Sequence, residues 1–213
     1  MMLQSLLRGL NRRRLKDPSY EFLFDDPHPD EVVCFDTETS GLDPKKAEIL
    51  SLAAVRIRGN RVLTSQRLNM VFKPQKAIDQ ESIKVHRLRH VDVANGLDIY
   101  EGLDRFLRFV GNRPLVGYFL EFDVAMVNRV VKPWLGIGLP NRCTEVSALY
   151  YDYRVRGRDG VYTGNIDLRF DTIMSELKLP VLPAHDALND AIMTALMYVK
   201  LQALLHGSSS AEG

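Results

Sequence analysis

Cysteine is scarce in this chain, with Cys34 and Cys143 the 2 present in 213 residues. Two cysteines cannot build a disulfide framework, so a reducing compartment and a cytoplasmic location are the expectation. No apolar run approaches the roughly 18–20 residues that a membrane-spanning helix needs, so no membrane is expected as a partner. A charge excess of one sign is missing too. The 28 basic and 27 acidic residues leave a net +1. That is not the strong basic bias of a protein that holds nucleic acid by charge alone. A nucleic-acid enzyme with basic patches around an acidic metal site would still sum to near zero. Internal repeats are absent.

What is present suits one core. Hydrophobic residues make up 46% and charged residues 26%, ordinary values for a globular chain of one domain with a short appendage. Residues 1–16 carry Arg8, Arg12, Arg13, Arg14 and Lys16 and no acid. Leu3, Leu6, Leu7 and Leu10 fall at helical spacing there. Arg8 interrupts any signal-peptide core, which argues against secretion. Three uses stay open for this arm: a helix docked on the main domain, a basic arm for nucleic acid or a protein partner, or an organelle-targeting peptide. Residues 17–31 turn acidic and Pro-rich and read as a linker. The expected division is therefore an arm and linker over 1–28, a main domain over 29–206, and a disordered tail over 207–213.

Strand-like runs cover 31–35, 49–57 and 62–72. Gly59-Asn60 between the last two is a tight hairpin signal, and Lys73-Pro74 ends the third run. A basic, helix-permissive stretch follows at 82–90. Helical periodicity then appears at Leu103, Phe106, Leu107 and Val110. A short apolar strand at 114–117, a helix opening near Glu121 and a short strand near Cys143 come next. Two helical patterns close the domain, one with Leu168, Ile173 and Leu177, the other with an apolar stripe from Leu188 through Ala191, Ile192, Ala195, Leu196 and Val199 to Ala203. Strands in a meander followed by alternating helices and strands predict an α/β fold with a mixed sheet covered by helices.

The chemistry starts at Asp36 and Glu38. They follow the apolar run Val32-Val33-Cys34-Phe35, and residues i and i+2 of a strand share a face. Two adjacent anions repel unless a cation lies between them or one takes up a proton. Hard divalent metals with oxygen ligands are the usual solution, and solvation at a strand end is the alternative. Asp123 stands one turn into a helix that follows a buried strand, as a third carboxylate of the site or as a surface residue facing the helix dipole. His185 lies in a loop after Pro183. Asp186 is suited to cap the final helix, and Asp190 falls about one turn inside it. A loop histidine and a helix carboxylate can converge on one point from there, or both can be surface residues.

Taken together, Asp-x-Glu on the first strand, Phe122-Asp123 opening a middle helix and His185-x-x-x-x-Asp190 before the last helix resemble the signature of the DEDDh 3′–5′ exonucleases. These DnaQ-like enzymes include the proofreading subunit of bacterial replicative DNA polymerase. The resemblance covers about residues 30–206. It implies a ribonuclease H-like mixed five-stranded sheet flanked by helices and a two-metal nuclease. Asp36, Glu38, Asp123 and Asp190 would hold two Mg²⁺ or Mn²⁺ ions, with Asp36 bridging. His185 would be the general base for the attacking water. Two metals roughly 3.5–4 Å apart stabilise charge on both the entering and leaving oxygens. Family likeness further implies that Glu38 and Thr39 contact the terminal 3′-hydroxyl, with Thr37 beside them, and that Leu42 wedges beside the terminal base; packing is the other use of Leu42. Arg87, Arg89, Arg154, Arg156 and Arg158 are possible phosphate contacts or solvated surface.

Two positions depart from the family pattern. His-Asn is usual where this chain has Tyr118-Phe119; the aromatic pair either stacks on a base or fills the core. Cys143 stands where Asp is common. The expected activity is a 3′–5′ exodeoxyribonuclease acting on single-stranded or frayed ends, with an exoribonuclease as the enzyme alternative. A catalytically silent nucleic-acid-binding or scaffold module is the alternative from another class. The expected partner is nucleic acid, DNA ahead of RNA, with a protein partner possible through residues 1–28. The chain shows neither a polymerase domain nor a long C-terminal extension, so stand-alone action and a place in a replisome both remain open.

Overall fold

The computed structural model describes residues 2–26, 28–75, 93–156, 165–183 and 186–207. The basic stretch at 82–90 and the tail at 208–213 lie outside them.

Strands β1 (Glu31–Thr39) and β2 (Ile49–Arg58) are buried along most of their length. Helices cover both their faces, which is why they read as near-continuous apolar runs. β3 (Arg61–Val71) alternates weakly, buries only Met70 fully and forms one edge of the sheet. The turn at Gly59-Asn60 joins β2 to β3, and Gly59 takes a φ of 56°, a left-handed value open to glycine without steric cost. β4 (Leu115–Gly117) and β5 (Cys143–Glu145) extend the sheet on the other side of β1. The order is β3-β2-β1-β4-β5. β1, β2 and β3 pair antiparallel, whereas β1, β4 and β5 run parallel. This is the mixed five-stranded α/β sheet that the sequence predicts.

Alternation along β1 divides the core. Val33 and Phe35 face one layer, with Leu115 beside them. Helices α2 (Ile99–Val110) and α3 (Leu120–Leu135) cover it. Leu103, Phe106, Leu107 and Val110 are fully buried there, each contributing about 1.5–3 kcal/mol. Asp98 caps α2 by accepting from Tyr100 N. Cys34, Val55, Ile57 and Val116 face the second layer. Helices α4 (Val146–Arg156), α5 (Phe170–Glu176) and α6 (Ala187–Gly207) cover that side. Cys34 is fully buried in this layer.

Three features differ from the sequence reading. Helix α4 was not anticipated, because only Val146 and Tyr150, one turn apart, are fully buried on it. That is too little for a visible stripe. Burial on α6 departs from the predicted stripe: Met193, Thr194, Met197 and Leu201 are buried with Ala191 and Ala195, whereas Ala203 is exposed. The helix packs on the sheet and is flanked by α4 and α5, so more than one face is covered. The stretch read as a linker is partly core. Pro18–Phe24 forms a 3-10 helix that buries Tyr20, Leu23 and Phe24. Its acidic, Pro-rich flanks masked that apolar content. Tyr20 donates to Asp104 Oδ1 at 2.7 Å and meets the Trp134 ring edge-on at 5.3 Å. Helix α1 (Met2–Arg14) precedes it. It is tied down through Arg8, which donates to Asn112 Oδ1 at 2.8 Å and to the Asp25 carbonyl at 3.0 Å. No helix among the described residues is long and apolar enough to cross a membrane.

Candidate active site

Asp36 and Glu38 leave β1 on the face of Cys34, the side covered by α6. They stand beyond the end of β4, since Cys34 pairs with Val116 and β4 stops at Gly117. A register shift against β2 between Glu38 and Thr39 breaks the ladder and bends the strand end. Helix α6 begins at the same place. Asp186 caps it, Oδ1 accepting from Leu188 N at 3.1 Å and Asn189 N at 3.0 Å. That puts Asp190 in the first turn. Ligand oxygens of Asp36, Glu38 and Asp190 thus lie within 4.8 Å of one another. His185 lies outside the described residues.

Asp123 arrives from the other layer. It is buried in the first turn of α3 and accepts from Thr37 N at 3.0 Å and from Thr37 Oγ1 at 2.5 Å. Thr37, between the two strand carboxylates, is therefore occupied with holding a third. The turn that delivers Asp123 is held by Glu145 at the end of β5. Its carboxylate accepts from Phe119 N at 3.1 Å and Leu120 N at 2.9 Å, and from Ser147 Oγ at 2.8 Å. Phe119, the N-cap of α3, makes no side-chain cap of its own. Sequence reasoning missed Glu145. The only local signal is a glutamate at a strand end with a serine two residues on.

Burial and mutual repulsion raise the pKa values of these carboxylates. Burial first, then Asp123, Asp190, Glu38 and Asp186, push Asp36 well above the carboxylate range. Glu38 is pushed up to about 7 by burial, then by Asp190, Asp123 and Asp186. Burial takes Asp123 to about 7 against the opposing hydrogen bonds from Thr37, with Glu145 adding repulsion. Carboxylates that resist one another's ionisation, with oxygens this close, fit a hard divalent cation. Among the described residues, Asp36, Glu38 and Asp190 could share one.

Residues around the cluster are varied in state. Leu42 is 89% exposed, so packing does not account for it. Its loop is anchored by Thr39 Oγ1, which donates to the Gly41 carbonyl at 2.8 Å, and by Arg129 from α3, which donates to the Pro44 and Ala47 carbonyls. Tyr118 and Phe119 part company. Tyr118 packs edge-on against Phe170 and donates to the Leu168 carbonyl at 3.0 Å, whereas Phe119 faces solvent. Arg154, open between a phosphate contact and solvated surface in the sequence, is engaged by Glu176 and the Tyr150 hydroxyl. Arg87, Arg89, Arg158 and the Arg156 side chain lie outside the described residues.

Residues 33–198 match the exonuclease family (RNase_T). The chain belongs to the exonuclease family. It is 28% identical over 171 residues to the DNA polymerase III subunit epsilon of Aquifex aeolicus (strain VF5), covering 79% of each chain. Over 173 residues it is 25% identical to the PolC-type DNA polymerase III of Thermotoga maritima, covering 81% of this exonuclease and 12% of that relative. E. coli exonuclease I, solved in complex with a dT13 oligonucleotide, shares the fold with a TM-score of 0.67 at 16% identity. That likeness covers 84% of this exonuclease and 42% of the other chain. The carboxylate cluster at the end of β1 lies within the residues that match the exonuclease family.

Proposed function

We propose that this exonuclease is a metal-dependent 3′–5′ exodeoxyribonuclease that releases nucleoside 5′-monophosphates from single-stranded or frayed ends. The observation that carries the reading is the approach of Asp36, Glu38 and Asp190 to within 4.8 Å in a chain of this family. Those three residues, with Asp123 behind them, would hold two divalent cations, Mg²⁺ or Mn²⁺. By family likeness Asp36 would be a ligand to both, and it is the carboxylate whose ionisation Asp123, Asp190 and Glu38 all oppose. Bound cations offset the charge that in-line displacement builds on the entering and leaving oxygens.

The chain's own residues have separate tasks. His185 takes the proton of the attacking water, a role suited to an imidazole that titrates near working pH. Thr37 orients Asp123. Glu38 and the Thr39 backbone meet the terminal 3′-hydroxyl, and Leu42 wedges beside the terminal base from its anchored loop. Tyr118 supports the substrate side of the site from the core. The names of the polymerase relatives and the oligonucleotide bound by exonuclease I support DNA as substrate. The relatives also support a polymerase assembly as partner, with the basic last turn of α1, Arg12, Arg13 and Arg14, as the surface offered. Two free cysteines support a cytoplasmic setting.

The test is a product ladder. Matched 5′-labelled single-stranded DNA and RNA are incubated with Mg²⁺ or Mn²⁺, with EDTA or with the His185→Ala variant. Stepwise shortening of DNA from the 3′ end, lost in both controls, is expected. Faster shortening of RNA would make the enzyme an exoribonuclease, because the 2′-hydroxyl decides between them. Intact oligonucleotides under every metal condition would leave a nucleic-acid-binding or scaffold module.

A further inference from the structure

Phe119 is an unexpected residue for its position. Its backbone has φ 55° and ψ 34°, the left-handed region that glycine and asparagine enter readily and bulky side chains avoid. Its ring is 61% exposed, so burial does not compensate. Neither backbone preference nor core packing accounts for a phenylalanine here. The conformation is nevertheless held, because Glu145 accepts from the N–H groups of both Phe119 and Leu120.

The ring has a defined setting. It stacks on Phe122 with centroids 6.3 Å apart and planes 19° from parallel. Phe122 is half-buried, so it backs Phe119 from the protein side and leaves the outer face of Phe119 open. Phe119 precedes Asp123 by four residues, about one helical turn. β4 runs parallel to β1 with Val116 opposite Cys34 and ends at Gly117, so the pair follows at the same end of the sheet as Asp36 and Glu38. A flat, backed, open aromatic face beside a nuclease site matches the surface on which nucleobases stack, and such stacking tolerates any base because every base has a π-face.

We infer that Phe119, backed by Phe122, is the platform on which an unpaired nucleobase of the substrate stacks as the strand reaches Asp36, Glu38 and Asp190. This rests on the exonuclease reading above and adds a specificity determinant to it. A base within a duplex already has both faces stacked, so the platform favours single-stranded or frayed ends over paired ones. Phe119 sets that preference, and Glu145 is a positioning residue that acts through it.

Phe119→Asn separates this role from a structural one, because asparagine suits the left-handed backbone while removing the ring. Phe119→Trp keeps an aromatic face. Three quantities are compared for the variants and the wild type. They are the melting temperature, the Kd for fluorescein-labelled single-stranded DNA and RNA with Ca²⁺ present, and the fluorescence of 2-aminopurine near the 3′ end, which falls on stacking. The platform predicts that Phe119→Asn melts no lower than the wild type, binds the strand about tenfold more weakly and loses the 2-aminopurine quench. Phe119→Trp should keep both binding and quench. Unchanged affinity and quench in Phe119→Asn would overturn the inference, as would weaker binding matched by a lower melting temperature. Failure of the wild type to shorten DNA in the ladder would count against the exodeoxyribonuclease reading alone, whereas failure to bind either strand would end both.

Discussion

Asp36 stands in the field of four other carboxylates, those of Asp123, Asp190, Glu38 and Asp186. No single residue of the cluster can ionise without cost to the rest, a cost that a bound cation would relieve. Replacing Asp36 with Ala should remove nearly all nuclease turnover. Retention of more than about a tenth of the wild-type rate, a loss under about 1.4 kcal/mol, would contradict its central role. Glu145 acts at one remove. Glu145→Ala leaves the N–H groups of Phe119 and Leu120 without their acceptor and should cost about 1 kcal/mol of stability, read as a lower urea midpoint. It should also lower kcat, because Asp123 follows on the same helix. A variant with full kcat would show that Asp123 is placed without it.

At the scale of elements, β1 carries charge at both ends but is fastened by it at only one. Its last residues carry the acidic cluster, and its first residue, Glu31, is buried between two arginines. Glu31 accepts from Arg113 Nε at 2.6 Å and from Arg58 Nε at 2.8 Å. Burial alone would raise its pKa, but the hydrogen bonds from Arg113 and Arg58 prevail and hold it at about 2. A carboxylate held below its unfolded value contributes stability above the usual carboxylate pKa and loses it as pH falls toward 2. Glu31→Gln should cost about 3–5 kcal/mol at neutral pH, because it leaves Arg113 buried without its counter-charge. Chemical denaturation at neutral pH and at about pH 3 checks this. The deficit should shrink in acid, and a deficit that stays constant would argue against the ion pair.

The whole molecule should show the opposite pH dependence when metal is absent. Glu38 and Asp123 are pushed up to about 7 and Asp36 well above the carboxylate range, from the roughly 4 of an unfolded carboxylate. Between those values the folded chain holds protons that the unfolded chain has released, so stability falls as pH rises from about 4 to 7. In EDTA the melting temperature should therefore drop across that range. Saturating Mn²⁺ should raise it at neutral pH and flatten the dependence, since the ion binds the folded site. Parallel curves with and without Mn²⁺ would mean that the cluster does not take up metal. Truncation tests the other end of the molecule. Removing residues 2–28 withdraws Tyr20, Leu23 and Phe24 from the core, about 1.5–3 kcal/mol each, and should lower the melting temperature by about 10 °C or more. Removing residues 2–14 spares them and should cost far less. We accordingly propose that the folded unit begins near Lys16, whose N–H bonds the Leu135 carbonyl at 2.9 Å. Equal losses from the two truncations would refute that boundary.

Much of this was legible in the chain itself, because it depends on neighbours in sequence. The apolar run before Asp36, the i, i+2 placement of Glu38, the Gly59-Asn60 turn, the stripe of α2 and the Asp186 cap of α6 are all local patterns. They determined the mixed sheet and the end of it where acids gather. Tertiary structure alone decided the rest. Thr37 and Asp123 are 86 residues apart yet hydrogen-bonded. Glu145 caps a turn 26 residues before it. Tyr118 and Phe119 are adjacent aromatics, and only the packing of Phe170 beside one and the left-handed backbone of the other sends the first inward and the second out. Pro18–Phe24 reads as linker from its charged flanks and becomes core only when α2 and α3 present Asp104 and Trp134 to Tyr20. Periodicity records which face of an element is apolar. Which distant residue meets that face depends on how the layers pack, and no window of sequence contains that.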